Sequence, residues 1–150
     1  MIERMDHVNI VVSDMATMIA FYRDVLRLRL TKQATISGAW ISDVTGLSDV
    51  VADVAFLEPA SGPGIELLHY RAPPGAAAEP MQPNTVGIRH LAFRVDDIDR
   101  LVAAMKAQEV SFFSPVHGVP AAQVDYARER KRLVYCRDPE GNLLELCEFS

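Results

Sequence analysis

Cysteine is scarce in this chain: two occur among 150 residues, with a single tryptophan and an aromatic content of 7%. Cys136 and Cys147 lie in apolar, strand-like segments where small buried thiols are common, so no disulfide is expected and neither cysteine points to a function. Long hydrophobic runs are also missing. None approaches the ~20 residues that a membrane helix needs. The N-terminus, with Glu3 and Asp6, lacks the basic-then-apolar pattern of a secretory signal, and a cytoplasmic protein without a membrane partner is the expectation. Basic charge is in deficit too: 15 Lys and Arg against 20 Asp and Glu leave a net charge of −5. Nucleic-acid binding requires a concentrated cationic surface, and that class is excluded. The one local exception, Arg128-Glu129-Arg130-Lys131-Arg132, reads either as a solvated loop or strand edge or as an anion-steering rim of a pocket.

What the chain does have is 49% hydrophobic content, enough for one globular domain or two small modules sharing a core. It also has a repeat. Asp6-His7-Val8-Asn9-Ile10-Val11-Val12-Ser13-Asp14 is matched 83 positions on by Arg89-His90-Leu91-Ala92-Phe93-Arg94-Val95-Asp96-Asp97. The same offset carries Met15, Met18, Ile19 and Tyr22 onto Ile98, Leu101, Val102 and Met105. A His-bearing strand followed by an amphipathic helix thus occurs twice, and internal duplication is the economical explanation. Each half closes on an apolar segment with one glutamate, Ile65-Glu66-Leu67-Leu68 and Leu144-Glu145-Leu146-Cys147.

The pattern predicts a strand over 5–12, a helix over 15–27 capped by Ser13 or Asp14, and strands over 28–36, 50–57 and 65–70, with 38–48 irregular. A proline- and alanine-rich linker is expected over 72–85. The second half repeats the order with a strand over 88–95, a helix over 98–108, and strands near 110–113, 132–137 and 142–149, the last two joined by a turn at Asp138-Pro139-Glu140-Gly141-Asn142. Residues 114–131 show no pattern and are a candidate lid. The expected fold is therefore α+β, a single domain spanning 1–150 with module one over 5–71 and module two over 86–150.

Strand alternation places His7 with Asn9 and Val11, opposite the core-facing Val8, Ile10 and Val12, and groups His90 with Ala92 and Arg94. Glu66 shares a face with Leu68 and Tyr70, and Glu145 with Cys147 and Phe149. A glutamate among leucines is costly unless its charge is paired or coordinates a metal. Two of them, each with a histidine counterpart, suggest a divalent cation held by His7, Glu66, His90 and Glu145. Nitrogen and oxygen donors suit Zn, Ni, Co, Mn or Fe(II), and four donors on a six-coordinate ion leave two positions open. Arg94, at the repeat equivalent of Val11, is a candidate for holding a substrate anion through its planar fork. Asn9 and Tyr70, on the same faces as the ligands, complete the substrate-contact candidates.

These segments, together with Phe21-Tyr22-Arg23-Asp24-Val25-Leu26, Gly87-Ile88-Arg89-His90 and Asp138-Pro139-Glu140-Gly141-Asn142-Leu143-Leu144-Glu145-Leu146, resemble the vicinal oxygen chelate superfamily over essentially the whole chain. That superfamily includes glyoxalase I, methylmalonyl-CoA epimerase, extradiol dioxygenases and fosfomycin or bleomycin resistance proteins. The resemblance implies two tandem βαβββ modules forming a cupped mixed β-sheet with helices outside, a divalent metal on the four ligands above, and a homodimer. Bacterial glyoxalase I shares the ligand order, but the family's glutathione-binding arginine falls at Val11 and its asparagine at Tyr70, which argues against glutathione. The epimerases carry a further catalytic glutamate whose place falls near Asp49.

The expected function is a metal-dependent lyase or isomerase acting through an enediolate on a small α-oxygenated carbonyl or acyl-thioester substrate, with Glu145 and Glu66 as the candidate bases. The alternatives are a single-domain Fe(II) extradiol-type dioxygenase, built on His7, His90 and Glu145, and a small-molecule-binding resistance protein without turnover.

Overall fold

In a computed structural model of the chain, described for residues 1–150 apart from Ala78 and Pro80, the polypeptide separates into two compact units, Met1–Ala78 and Glu79–Ser150. Those two residues belong to the expected 72–85 linker and lie outside the described residues. Among the described residues no helix is long and apolar enough to cross a membrane.

The first unit runs β1 (His7–Val11), α1 (Met15–Ala20), a π-helical turn (Phe21–Val25), β2 (Arg29–Ser37), α2 (Ala39–Thr45), β3 (Val51–Glu58) and β4 (Gly64–Ala72). Its strands form one mixed sheet in the order β1-β4-β3-β2, with β1 parallel to β4 and the other pairs antiparallel. The second unit runs β5 (His90–Arg94), α3 (Ile98–Lys106), β6 (His117–Gly118), β7 (Lys131–Arg137) and β8 (Leu143–Phe149), in the equivalent order β5-β8-β7-β6. The α+β expectation and the βαβββ order hold in both.

The repeated helix starts have one cause. Asp14 and Asp97 both sit in extended backbone, and each side chain accepts from the backbone N–H three residues on, Thr17 N at 3.0 Å and Arg100 N at 2.9 Å. This satisfies a donor that the helix cannot. The bond from Thr17 also pulls the Asp14 carboxyl below the ordinary carboxylate range. In the first unit the helix then widens: Leu26 N bonds Phe21 O at 3.2 Å, an i→i+5 step, and consecutive Phe21 and Tyr22 are both buried.

The core lies on the helix side of each sheet. Ile10, Ala55, Leu57, Ile65 and Leu67 are buried where α1 packs on β3 and β4, and Val134, Cys136, Leu144 and Leu146 are buried where α3 meets β8. Both cysteines are free, and burial, with the charge of Asp138 behind it, pushes the Cys136 thiol up to about 12.

Two elements differ from expectation. Residues 38–48, read as irregular, contain α2, a seven-residue helix between Gly38 at φ 96° and a left-handed Gly46 at φ 69°. It exists because Ile41 buries itself against Val50, Ala52, Val54 and Leu68, a tertiary contact that short-range periodicity cannot reveal. The strand expected near 110–113 reduces to one bridge, Phe112 to Cys136, and the edge of the sheet is instead β6, within the patternless stretch. That stretch is tied down at its far end by reciprocal bonds between Arg130 and Ser150 at 2.8 and 3.1 Å.

Leu67 and Leu146 are fully buried on the helix-facing side of equivalent strands. Leu67→Ala and Leu146→Ala are each expected to cost about 2–5 kcal/mol in urea unfolding, through lost burial plus the cavity left behind.

Candidate metal centre

The parallel pairing of first and last strands does the positioning. In β1 and β4, Asn9 lies opposite Glu66 and His7 opposite Gly64; in β5 and β8, Ala92 lies opposite Glu145 and His90 opposite Leu143. The histidine is therefore two residues before the partner of the glutamate in both units, on the same face by alternation. The resulting distances agree closely: His7 Nε2 to Glu66 Oε2 is 3.4 Å, and His90 Nε2 to Glu145 Oε2 is 3.5 Å. The third strand supplies an aromatic ring beside each imidazole. Phe56, opposite Glu66, stands edge-on to His7 at 6.2 Å, and Tyr135, opposite Glu145, lies tilted on His90 at 5.3 Å.

The donor sets fit a metal ion. His7 Nδ1 lies 3.0 Å from Asp6 Oδ2, and since a carboxylate only accepts, the imidazole donates there and turns Nε2 toward Glu66. A neutral ring then presents a lone pair to a carboxylate oxygen, an arrangement that calls for positive charge at the pair, either a proton on Nε2 or a cation. A second partner on the far ring nitrogen is the usual support of a metal-binding histidine. Donors on an ion at about 2.1 Å stand about 3 Å apart at right angles and about 3.4 Å apart tetrahedrally, and the observed separations of 3.4 and 3.5 Å lie at the wider end. Among the described residues no group of three or more His, Cys, Asp and Glu side chains is gathered for one ion; the donors come as one pair in each unit.

The two carboxylates have different surroundings. Glu66 is partly exposed, and Asn9 Nδ2 donates to its Oε2 at 2.8 Å. Glu145 is buried, with only 6% of its side chain exposed. Its Oε1 has Lys131 Nζ at 2.6 Å, an ammonium close enough to compensate its charge. Burial pulls the Lys131 pKa down, yet the adjacent Glu145 outweighs it and the net displacement is upward. The Tyr135 hydroxyl is raised by burial first and by the charge of Glu145 second.

The remaining sequence candidates go elsewhere. Arg94 Nη2 pairs with Glu129 Oε1 at 2.9 Å while its guanidinium lies 4.6 Å over the Phe149 ring. Tyr70 packs against the apolar cluster under α2, on the same side of the sheet as Glu66 but four residues along the strand. His69, on the opposite parity, bonds the Val12 carbonyl at 2.9 Å, and Asp49 is an exposed residue at φ 54° beside α2. Two of the four basic residues of the run are committed to ion pairs: besides Lys131, Arg132 binds Asp99 at 2.7 Å and Glu148 at 3.1 Å. Asp6, Phe56, Lys131 and Tyr135 were not singled out from sequence. The hairpin at 138–142 did hold the signal for two of them, because its register sets Tyr135 opposite Glu145 and puts Lys131 on the same face. Access to His7 is open within the first unit: a cleft of about 820 Å³ is lined by Arg4, Asp6, His7, Lys32 and Phe56 among others, a size that suits a small molecule.

Comparison with known proteins places the fold. Residues 4–146 match the family model described as the Glyoxalase/Bleomycin resistance protein/Dioxygenase superfamily. The uncharacterized protein YaeR of Escherichia coli (strain K12) is 30% identical over 149 residues, covering 98% of this chain and 97% of that one. A glyoxalase family protein from Bacillus cereus, solved by crystallography, is 30% identical with a TM-score of 0.84 over 99% of this chain and 95% of its own. The trypanothione-dependent glyoxalase I of Leishmania major shares the fold, with a TM-score of 0.64 at 20% identity over 97% of this chain and 86% of its own.

Because the Arg94–Glu129 pair is exposed on both sides, Arg94→Leu should change the unfolding free energy by no more than about 1 kcal/mol. Denaturant titration of the variant checks this, and a larger loss would mark Arg94 as structural.

Proposed function

The chain belongs to the Glyoxalase/Bleomycin resistance protein/Dioxygenase superfamily, and from that premise we propose that it is a divalent-metal-dependent lyase or isomerase acting on a small α-oxygenated carbonyl or acyl-thioester compound. Superfamily membership supports metal and small-molecule chemistry but not one reaction, since the same fold hosts several. The observation that carries the reading is the duplicated His–Glu pair, equal in register and within 0.1 Å in separation, at 3.4 and 3.5 Å.

On this reading the metal ligands are His7 and Glu66 in the first unit and His90 and Glu145 in the second. The native ion is one of Ni, Co, Zn, Mn or Fe. When bound, it would act as a Lewis acid toward a substrate oxygen, lowering the cost of negative charge at the adjacent carbonyl. The side chains do the rest. Asp6 holds the His7 ring in the tautomer that presents Nε2. Asn9, donating to Glu66 Oε2, fixes that carboxylate's orientation. Glu145 and Glu66 are the candidate proton acceptors for a C–H adjacent to a carbonyl. The partners implied are a small-molecule substrate and a second copy of the chain.

Metal analysis and solvent-deuterium exchange test this together. The His7→Ala/His90→Ala double variant should lose the ion while keeping its secondary structure, and full retention by elemental analysis would defeat the metal assignment. Asp6→Ala should weaken binding of the same ion by about 10–100-fold, read by chelator competition. Across a panel of 2-oxo thiohemiacetals and acyl-CoA esters, wild type should exchange the α-proton, and Glu145→Gln at matched metal content should exchange about 10²-fold more slowly or worse. Tight binding of a panel member without any exchange would favour a sequestering protein instead.

A further inference from the structure

The ammonium of Lys131 lies against the carboxylate oxygen that faces away from His90, and from this we infer that Lys131 is an internal counter-ion that holds Glu145 as the loosely bound, releasable ligand of the metal site. The inference rests on the proposed metal reading and deepens it.

Glu145 divides its two oxygens. Oε2 faces His90 Nε2 at 3.5 Å, and Oε1 faces Lys131 Nζ at 2.6 Å. Lys131 enters from β7, four residues before Tyr135, and its side chain runs back along the same face of the sheet, passing Phe149 at 5.8 Å and Tyr126 at 5.9 Å from their ring centroids. It is itself only 16% exposed. The pair is thus sheltered from water, where like-charge repulsion between the ammonium and an arriving divalent ion is felt at close range. Two consequences follow. Coordination through Oε1 is obstructed, leaving Oε2 as the single donor atom. And when Oε2 lets go of the ion, the carboxylate is still neutralised, so its release does not strand a buried charge.

The first unit has no such device. The position equivalent to Lys131 is Ala52, opposite Tyr70 as Lys131 is opposite Phe149, and it is buried beneath α2. Glu66 is instead steadied by the neutral amide of Asn9. Of two carboxylates made equivalent by duplication, one is fastened and one is buffered by a positive charge. A carboxylate that both ligates and accepts a proton must leave the ion for part of its cycle, and the structure equips Glu145 rather than Glu66 for that.

The test is metal affinity, measured by chelator competition with Zn²⁺ and with Ni²⁺, alongside the melting temperature in EDTA. Lys131→Met should tighten binding by about tenfold or more, since the competing charge is gone, while lowering the melting temperature of the metal-free protein, since Glu145 loses its counter-ion. Lys131→Gln carries the same expectation should the methionine variant fail to fold. Lys131→Arg, which keeps the charge, should stay within about threefold of wild type. In a Glu145→Gln background, where no carboxylate is left without its counter-ion, Lys131→Met should restore the melting temperature lost in the single variant. Unchanged or weakened affinity in Lys131→Met, or equal tightening in Lys131→Arg, overturns the inference while leaving the metal reading intact. A wild-type protein that binds neither ion overturns both.

Discussion

A carboxylate in the interior of a strand of leucines must be neutralised, and the second unit is arranged around that requirement. Glu145 occupies the middle of Leu143-Leu144-Glu145-Leu146-Cys147, and its side chain is 6% exposed. Its partners come from both neighbouring strands: His90 from the parallel strand on one side, Tyr135 and Lys131 from the antiparallel strand on the other. An isolated buried carboxylate would either gain a proton or unfold its surroundings. Here an ammonium 2.6 Å away compensates its charge.

The two units show how a duplicated scaffold can keep a geometry and divide a function. Strand order, register, helix cap, and the His–Glu separation are common to both. The side chains around each pair are not. Asn9 becomes Ala92, Phe56 becomes Tyr135, Val11 becomes Arg94, and the small Ala52 becomes Lys131. In the first unit the far end of the ligand face is closed by the apolar contacts of α2, whereas in the second it carries Arg94, Lys131, Tyr126 and Phe149, linked by cation–aromatic contacts. Backbone pairing restricts where a side chain begins, so each histidine and glutamate keeps the same register in both units, while the residues flanking them differ in charge and size.

The extent to which the molecule is legible in its sequence follows the range of the interactions involved. The His-strand and helix repeats were readable because period-2 and period-3.6 burial are local properties, and the first helix cap, read as Ser13 or Asp14, because the Asp14 side chain bonds a group three residues away. The hairpin at 138–142 was readable because Asp138 accepts from Glu140 N and Asn142 N at 3.0 and 2.9 Å, chemistry internal to five residues. Helix α2 was not, since seven residues without a full apolar stripe are helical only while Ile41 has a cluster to enter. Nor was β6, a two-residue edge strand paired to Arg132 and Leu133 from across an irregular loop.

By itself the sequence determined the duplication, the α+β modules, the membership these imply, and the parity that sets each histidine and glutamate on one face, because all of these depend on spacing along the chain. Only the tertiary structure decided the distances of 3.4 and 3.5 Å, and which neighbours each carboxylate has. Those depend on which strand lies beside which and on where long side chains end. Lys131 is the plainest case: in the sequence it is one member of a basic run, and in the fold it lies over Phe149 with its charge against Glu145. A flexible four-carbon stem can reach in many directions, and only the packing around it selects one.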